Sequence, residues 1–288
     1  MATWFEQNAV DLIGHVLTII GIIAAAATVV WQLGRQHQSS LSVQRDNARE
    51  ELKLRLHELL VQRVRKLSKA NVRAAMYAYM IPFNVESFQR QLVLGLRPAP
   101  IKERAQEFSR LHAEANDAFI KLIQEFESWS IAFPGLQVFQ VALNAANHDA
   151  REAFTPLFSE LLRVLPIDPP EDAPPNVPRP FIQSPISSDE LAKLKALVER
   201  YKAAMDDIGS YVHDLTIESQ NNLLSGLFER RVPPRQPIDP NCKVISTDPE
   251  KAEQLLRYFE NETSWGEAKR AAEADAKARL VKLSVGHG

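Results

Sequence analysis

The chain has 288 residues, 45% hydrophobic and 8% aromatic, with a formal net charge of −2. That balance excludes a disordered chain. A single cysteine, Cys242, excludes an internal disulfide, so no oxidising compartment is implied.

Glycine is scarce, with ten in all, and Ala, Leu, Glu, Gln, Lys and Arg dominate, so the expectation is an all-α protein. In outline, this is a single N-terminal transmembrane helix continuing into a long basic helix, then a cytoplasmic helical bundle with Pro-rich linkers.

Residues 1–11 form a short tail, expected outside the membrane. Residues 12–33 contain no Asp, Glu, Lys or Arg. As a helix these 22 residues reach roughly 33 Å, enough for a hydrocarbon core of about 30 Å. Trp4 and Trp31 flank the run at the two headgroup levels. A secretory signal would carry basic residues before its apolar run, whereas Glu6 and Asp11 stand there. The basic residues follow it, beginning with Arg35, which places the N-terminus outside and the body in the cytoplasm. This layout resembles that of bacterial inner-membrane proteins with one anchor and a cytoplasmic body.

Two features lie within the anchor. Gly14, Thr18, Gly21, Ala25 and Thr28 recur at spacings of four and three, a small-residue face that another helix can approach closely. Small residues are also simply common in membrane helices. Asp11 and His15 stand one turn apart at the outer edge. An intramembrane polar pair can mark an ion path, but near the headgroups it can equally be solvated.

Residues 34–81 are expected to form a juxtamembrane helix that Pro82 ends. Arg45 to Arg73 holds nine Lys or Arg against four acids, whereas residues 74–288 carry 24 basic and 30 acidic residues. Positive charge is therefore concentrated beside the membrane, where Arg35, Arg63, Arg65, Lys66 and Lys69 are candidates for anionic lipid contact. A solvated face that merely obeys the charge bias is the plainer reading. Nucleic acid ranks last, because no stacking aromatics interleave with the patch.

Residues 82–165 read as a helical hairpin. One apolar stripe runs Ile101, Ala105, Phe108, His112, Ala115, Phe119, Leu122, Phe126, Trp129, Phe133. His112 within it reads as a core histidine. "FPG" at 133–135 turns the chain, and Leu136, Phe139, Leu143, Ala146 and Ala150 return. Thr155-Pro156 is expected to break this return stretch before Leu157, Leu161 and Leu165. Residues 166–187 are a Pro-rich linker, with eight prolines between Pro166 and Pro185. Residues 188–230 form a heptad helix, capped at Ser187 or Ser188, with Leu191, Val198, Met205, Val212 and Leu194, Tyr201, Ile208, Leu215 as its two registers. Three apolar positions per seven suit a bundle better than a two-stranded coil. A Pro-rich loop at 231–247 precedes a C-terminal helix at 248–283, with Asp248 as N-cap and Pro249 as first residue.

No phosphate loop, dinucleotide fingerprint, zinc signature or nucleophile elbow is present. His148 and Glu152 share a helix face, but two ligands do not make a metal site. No cofactor, metal or small-molecule substrate is implied. The function expected is a membrane-anchored scaffold or regulator that self-associates or binds a protein partner. The alternative is a membrane effector whose anchors assemble to perturb the bilayer or pass ions.

Overall fold

A computed structural model describes residues 2–94, 102–129, 133, 135–164, 186–225, 230–237 and 242–285. They form six helices and, among the described residues, no strand: α1 (Ala2–Val93), α2 (Lys102–Trp129), α3 (Leu136–Val164), α4 (Ser188–Leu223), α5 (Pro249–Glu262) and α6 (Ser264–Val285). Among the described residues no helix is long and apolar enough to cross a membrane. The side chains of residues 1–30, which include most of the expected anchor, lie outside the described residues.

The chain divides into two units, Met1–Arg55 and Leu56–Gly288. The first is helical from Ala2 onward, and its described side chains pair locally, with Lys53 on Glu50 at 2.7 Å and Arg55 on Glu51 at 2.6 Å. These exposed i,i+3 and i,i+4 pairs contribute only about 0.3–0.5 kcal/mol each.

The second unit is a helical bundle. Within it, α1 buries Leu60, Val64, Leu67, Asn71, Ala74, Ala78, Ile81, Val85 and Phe88. Steps of four and three keep these residues on one face. Arg63 meets Glu125 and Tyr77 meets Arg104, so α2 runs antiparallel to this face. Asn71 meets Met205 and Glu86 meets Lys195, so α4 does the same on the other flank. The α2 stripe is buried from Ala105 to Phe133 except at His112, which is half-buried; Ile101 and Leu165 lie outside the described residues. The α4 registers are buried from Leu194 to Leu215, with Leu191 half-buried.

Two helices run further than the sequence suggests. Pro82 lies inside α1 and Pro156 inside α3, where a chain break was expected. Each proline removes one backbone N–H from the helical ladder. Burial of Ile81 and Val85 around the first, and of Ala153 and Leu157 around the second, holds the helix together across that gap. The C-terminal stretch does the reverse and divides at Thr263. That residue is extended, and its hydroxyl donates to Phe259 O while accepting from Gly266 N at 3.2 Å. A Cβ at Gly266 would collide with the carbonyl of Glu260, so the tight turn needs glycine here.

Caps appear where the sequence places them. Ser187 accepts from Glu190 N while Glu190 accepts from Ser187 N, a reciprocal capping box. Asp248 caps α5, with Pro249 following it. Gly135 has φ 83°, the left-handed conformation that lets the α2–α3 turn close against Thr247.

Candidate interaction surface

One or two residues on from buried positions, and so on the opposite side of the helix, α1 shows a second character. Val72, Met76, Tyr79, Met80 and Phe83 are each about half exposed or more, and Met76 reaches 65%. Their spacing of four, three, one and three puts them on the outer side of α1, away from its packed row. Five large apolar side chains within twelve residues exceed the scattered exposure of ordinary surfaces.

The basic residues lie at one end of this outer row and do not behave as a group. Arg63 is drawn inward, donating to Glu125 Oε1 from Nε at 3.1 Å and Nη2 at 2.7 Å. Arg73 pairs with Glu114 at 3.3 Å. Arg65, Lys66 and Lys69 are exposed, with no ion pair among the described residues. Arg35 lies over the Trp31 ring, 5.2 Å from its centroid, a cation–π contact. Gly14, Thr18, Gly21, Ala25, Thr28, Asp11 and His15 are on the helical backbone of α1, but their side chains lie outside the described residues.

Beside the outer row, α1 and α4 enclose an open groove made of two adjoining cavities of about 790 and 270 Å³. Val72, Ala75, Met76 and Tyr79 supply the α1 wall. Glu199, Lys202, Asp206 and Asp207 supply the α4 wall, and Arg235 and Cys242 close one end. Asn71 lines both cavities. It is 4% exposed; its Nδ2 donates to Met205 O at 2.6 Å, and its Oδ1 is buried without a partner. A buried acceptor left unpaired costs about 1–3 kcal/mol, so its retention calls for an explanation.

The closed end of the groove is rigidly built. Asp214, 2% exposed, accepts from Arg235 Nε at 2.9 Å and Nη2 at 3.0 Å, and from Ile245 N at 2.9 Å. Arg235 Nη2 also donates to Lys243 O at 3.1 Å. One buried carboxylate thus pins the loop between α4 and α5 at two points, Arg235 near its middle and Ile245 near its far end. Burial pushes the Cys242 thiol up, which keeps it protonated and unreactive at neutral pH.

Two other titratable groups, Glu160 and His112, join helices of the bundle. Glu160, 5% exposed, accepts from Arg163 and Lys193 and clamps α3 to α4, and the Arg163 hydrogen bond holds its carboxyl below the usual range. His112 stacks on Phe154 at 3.9 Å between centroids and shares a 3.1 Å hydrogen bond with the Tyr201 hydroxyl. Burial first, then the nearby Arg151, pushes its pKa down to about 4. It is a core histidine. Among the described residues no group of three His, Cys, Asp or Glu could hold a metal ion.

Sequence reasoning did not single out Asn71 or the outer apolar row. The signal was available: the steps of four and three from Leu60 to Phe88 define an inner face, and Met76 and Phe83 fall opposite it. Comparison with protein-family models, curated proteins and solved structures finds no match for this chain.

Proposed function

We propose that this protein is a membrane-anchored, single-pass scaffold or regulator. Its N-terminus lies outside, its helical body lies in the cytoplasm, and it self-associates. The uncharged run of residues 12–33, with Arg35 and the later basic residues on one side only, supports the anchor and its orientation. The observation that carries the interaction role is the exposed row Val72, Met76, Tyr79, Met80 and Phe83, on a helix whose opposite face is fully packed. Such a row costs solubility unless another surface covers it. Met76 and Met80 suit it to contact, because an unbranched thioether adapts to its neighbour.

The test is the mass of the full chain in a non-ionic detergent, measured by light scattering. The expected result is an oligomer for the parent chain and a smaller species for the Met76→Glu, Phe83→Glu double variant. A monomeric parent would remove self-association, and an unchanged mass in the double variant would take the outer row out of it.

A second reading is favoured by Asp11, His15 and the small-residue face of the anchor: a membrane effector in which assembled anchors pass ions. Loss of membrane potential on overexpression, abolished by Asp11→Asn, would select it.

A further inference from the structure

We propose that the segment 231–237, in the loop between α4 and α5, is the docking site for a partner domain of the SH3 type. Such a domain reads a polyproline helix in an aromatic-lined groove flanked by carboxylates. This goes beyond the self-association proposed for α1. It uses a different surface, so either reading can fail alone.

The segment reads R-V-P-P-R-Q-P, with Arg231, Pro234 and Pro237 spaced by three. It forms neither helix nor strand. The rings of Pro233, Pro234 and Pro237 fix φ near about −65°. Val232, Pro233 and Gln236 each precede a proline, which steers them to extended ψ. Polyproline II is the conformation these restrictions share. The contacts with α4 agree with it. Asn221 Oδ1 accepts from Val232 N at 2.8 Å, and Asn221 Nδ2 donates to Val232 O at 2.9 Å. Three residues on, Arg235 reaches Asp214 at 2.9 and 3.0 Å. Asn221 and Asp214 are two helical turns apart, roughly 10.5 Å along α4. Val232 and Arg235 are one polyproline turn apart, about 9.3 Å. The two spans match, so the segment lies antiparallel alongside α4.

A helix with three residues per turn has three faces. Val232 and Arg235 share the face tied to α4, and Arg235 is the one residue of the seven that is not exposed. Arg231, Pro234 and Pro237 share another face, and all three are exposed. Arg231 has no ion pair among the described residues. This is the face an SH3-type groove reads. Two prolines one turn apart fill two slots between aromatic rings, and the guanidinium one turn earlier pairs with a carboxylate at the end of the groove. The tethers at Val232 and Arg235 hold the segment extended before it binds, so little freedom is lost on docking. An anionic lipid or nucleic-acid surface would also attract Arg230 and Arg231, but it would be indifferent to the prolines and to their register.

The experiment is isothermal titration calorimetry of the full chain, in a non-ionic detergent, against a purified SH3 domain of the class that selects a basic residue three positions before P-x-x-P. Saturable binding at one site per chain is expected. Pro234→Ala and Pro237→Ala should each weaken it roughly fivefold or more. Arg231→Gln should weaken it roughly two- to fivefold. Gln236→Ala, on the third face, should leave it unchanged. All four residues are exposed, so the helical circular dichroism should match that of the parent. The Met76→Glu, Phe83→Glu double variant should bind as the parent does, which separates this site from the outer row of α1. A blocked peptide of residues 230–237 should show the same order among the variants with weaker binding, because it must be ordered on docking. The proposal is overturned if the full chain does not bind, or if the peptide binds and the full chain does not. It is equally overturned if Arg231→Gln weakens binding while both proline variants bind as the parent, which would leave only a charge contact.

Discussion

Asp214 and Arg235 form the most buried ion pair among the described residues, and removing either should be costly in a specific way. Their side chains are 2% and 11% exposed. Asp214→Leu leaves the Arg235 guanidinium without its counter-charge and Ile245 N without an acceptor. Breaking one partner of a buried pair costs about 3–5 kcal/mol. For a unit of this size that corresponds to a fall in Tm of roughly 6–20 °C. Arg235→Met leaves the opposite charge stranded and should cost a similar amount. The double variant leaves no buried charge, so its loss should be much smaller than the sum of the two. Chemical denaturation of the four proteins, followed by circular dichroism, gives the coupling energy directly. A coupling of about 2 kcal/mol or more is expected; additivity within about 0.5 kcal/mol would refute the claim that the pair pins the α4–α5 loop.

Other consequences are independent of that loop. His112 has a folded pKa of about 4 against 6.5 for the free group, so below pH 6.5 the unfolded chain takes up a proton that the fold refuses. The stability that neutral His112 provides is complete above pH 6.5 and declines as pH falls towards 4, by up to about 3 kcal/mol. His112→Phe should flatten that part of the profile, and parallel curves for parent and variant would sink the assignment. Arg63→Met should destabilise by about 0.5–1 kcal/mol through loss of Glu125, while Lys69→Met should be neutral in denaturant titrations. Equal losses would mean that the Arg63 pair contributes nothing. If residues 12–33 form the proposed anchor, Gly21→Leu should reduce association in a membrane two-hybrid assay and Ile23→Leu should not, because close helix approach needs small side chains. Identical signals would make the small face incidental.

The sequence is legible wherever periodicity and local chemistry decide the structure. The stripe from Ala105 to Phe133, the α4 registers and the caps at Ser187 and Asp248 all depend on neighbours within a turn or two. What escapes is decided by residues far away in the chain. Pro82 and Pro156 are helix breakers by local rule, yet the helices persist because the flanking apolar residues are held by other helices. Arg63 looks like its basic neighbours until Glu125, 62 residues on, claims it. Asn71 reads as an ordinary polar residue, and only the packing of α4 leaves its side-chain oxygen buried without a partner. What is expected of Asp11, His15 and Gly14 through Thr28 rests on the sequence, since their side chains lie outside the described residues.

The central claim is that residues 12–33 hold a cytoplasmic body at the membrane. Its most direct test is fusion of the full chain, after Gly288, to green fluorescent protein and, separately, to alkaline phosphatase, with each fusion fractionated after alkaline carbonate washing. The account predicts a fluorescent, phosphatase-silent protein that stays in the membrane pellet and is released when Ile19, Ile22 and Val29 are replaced by Asp. Phosphatase activity would contradict the orientation, and recovery of the unmodified chain in the carbonate supernatant would contradict the anchor itself.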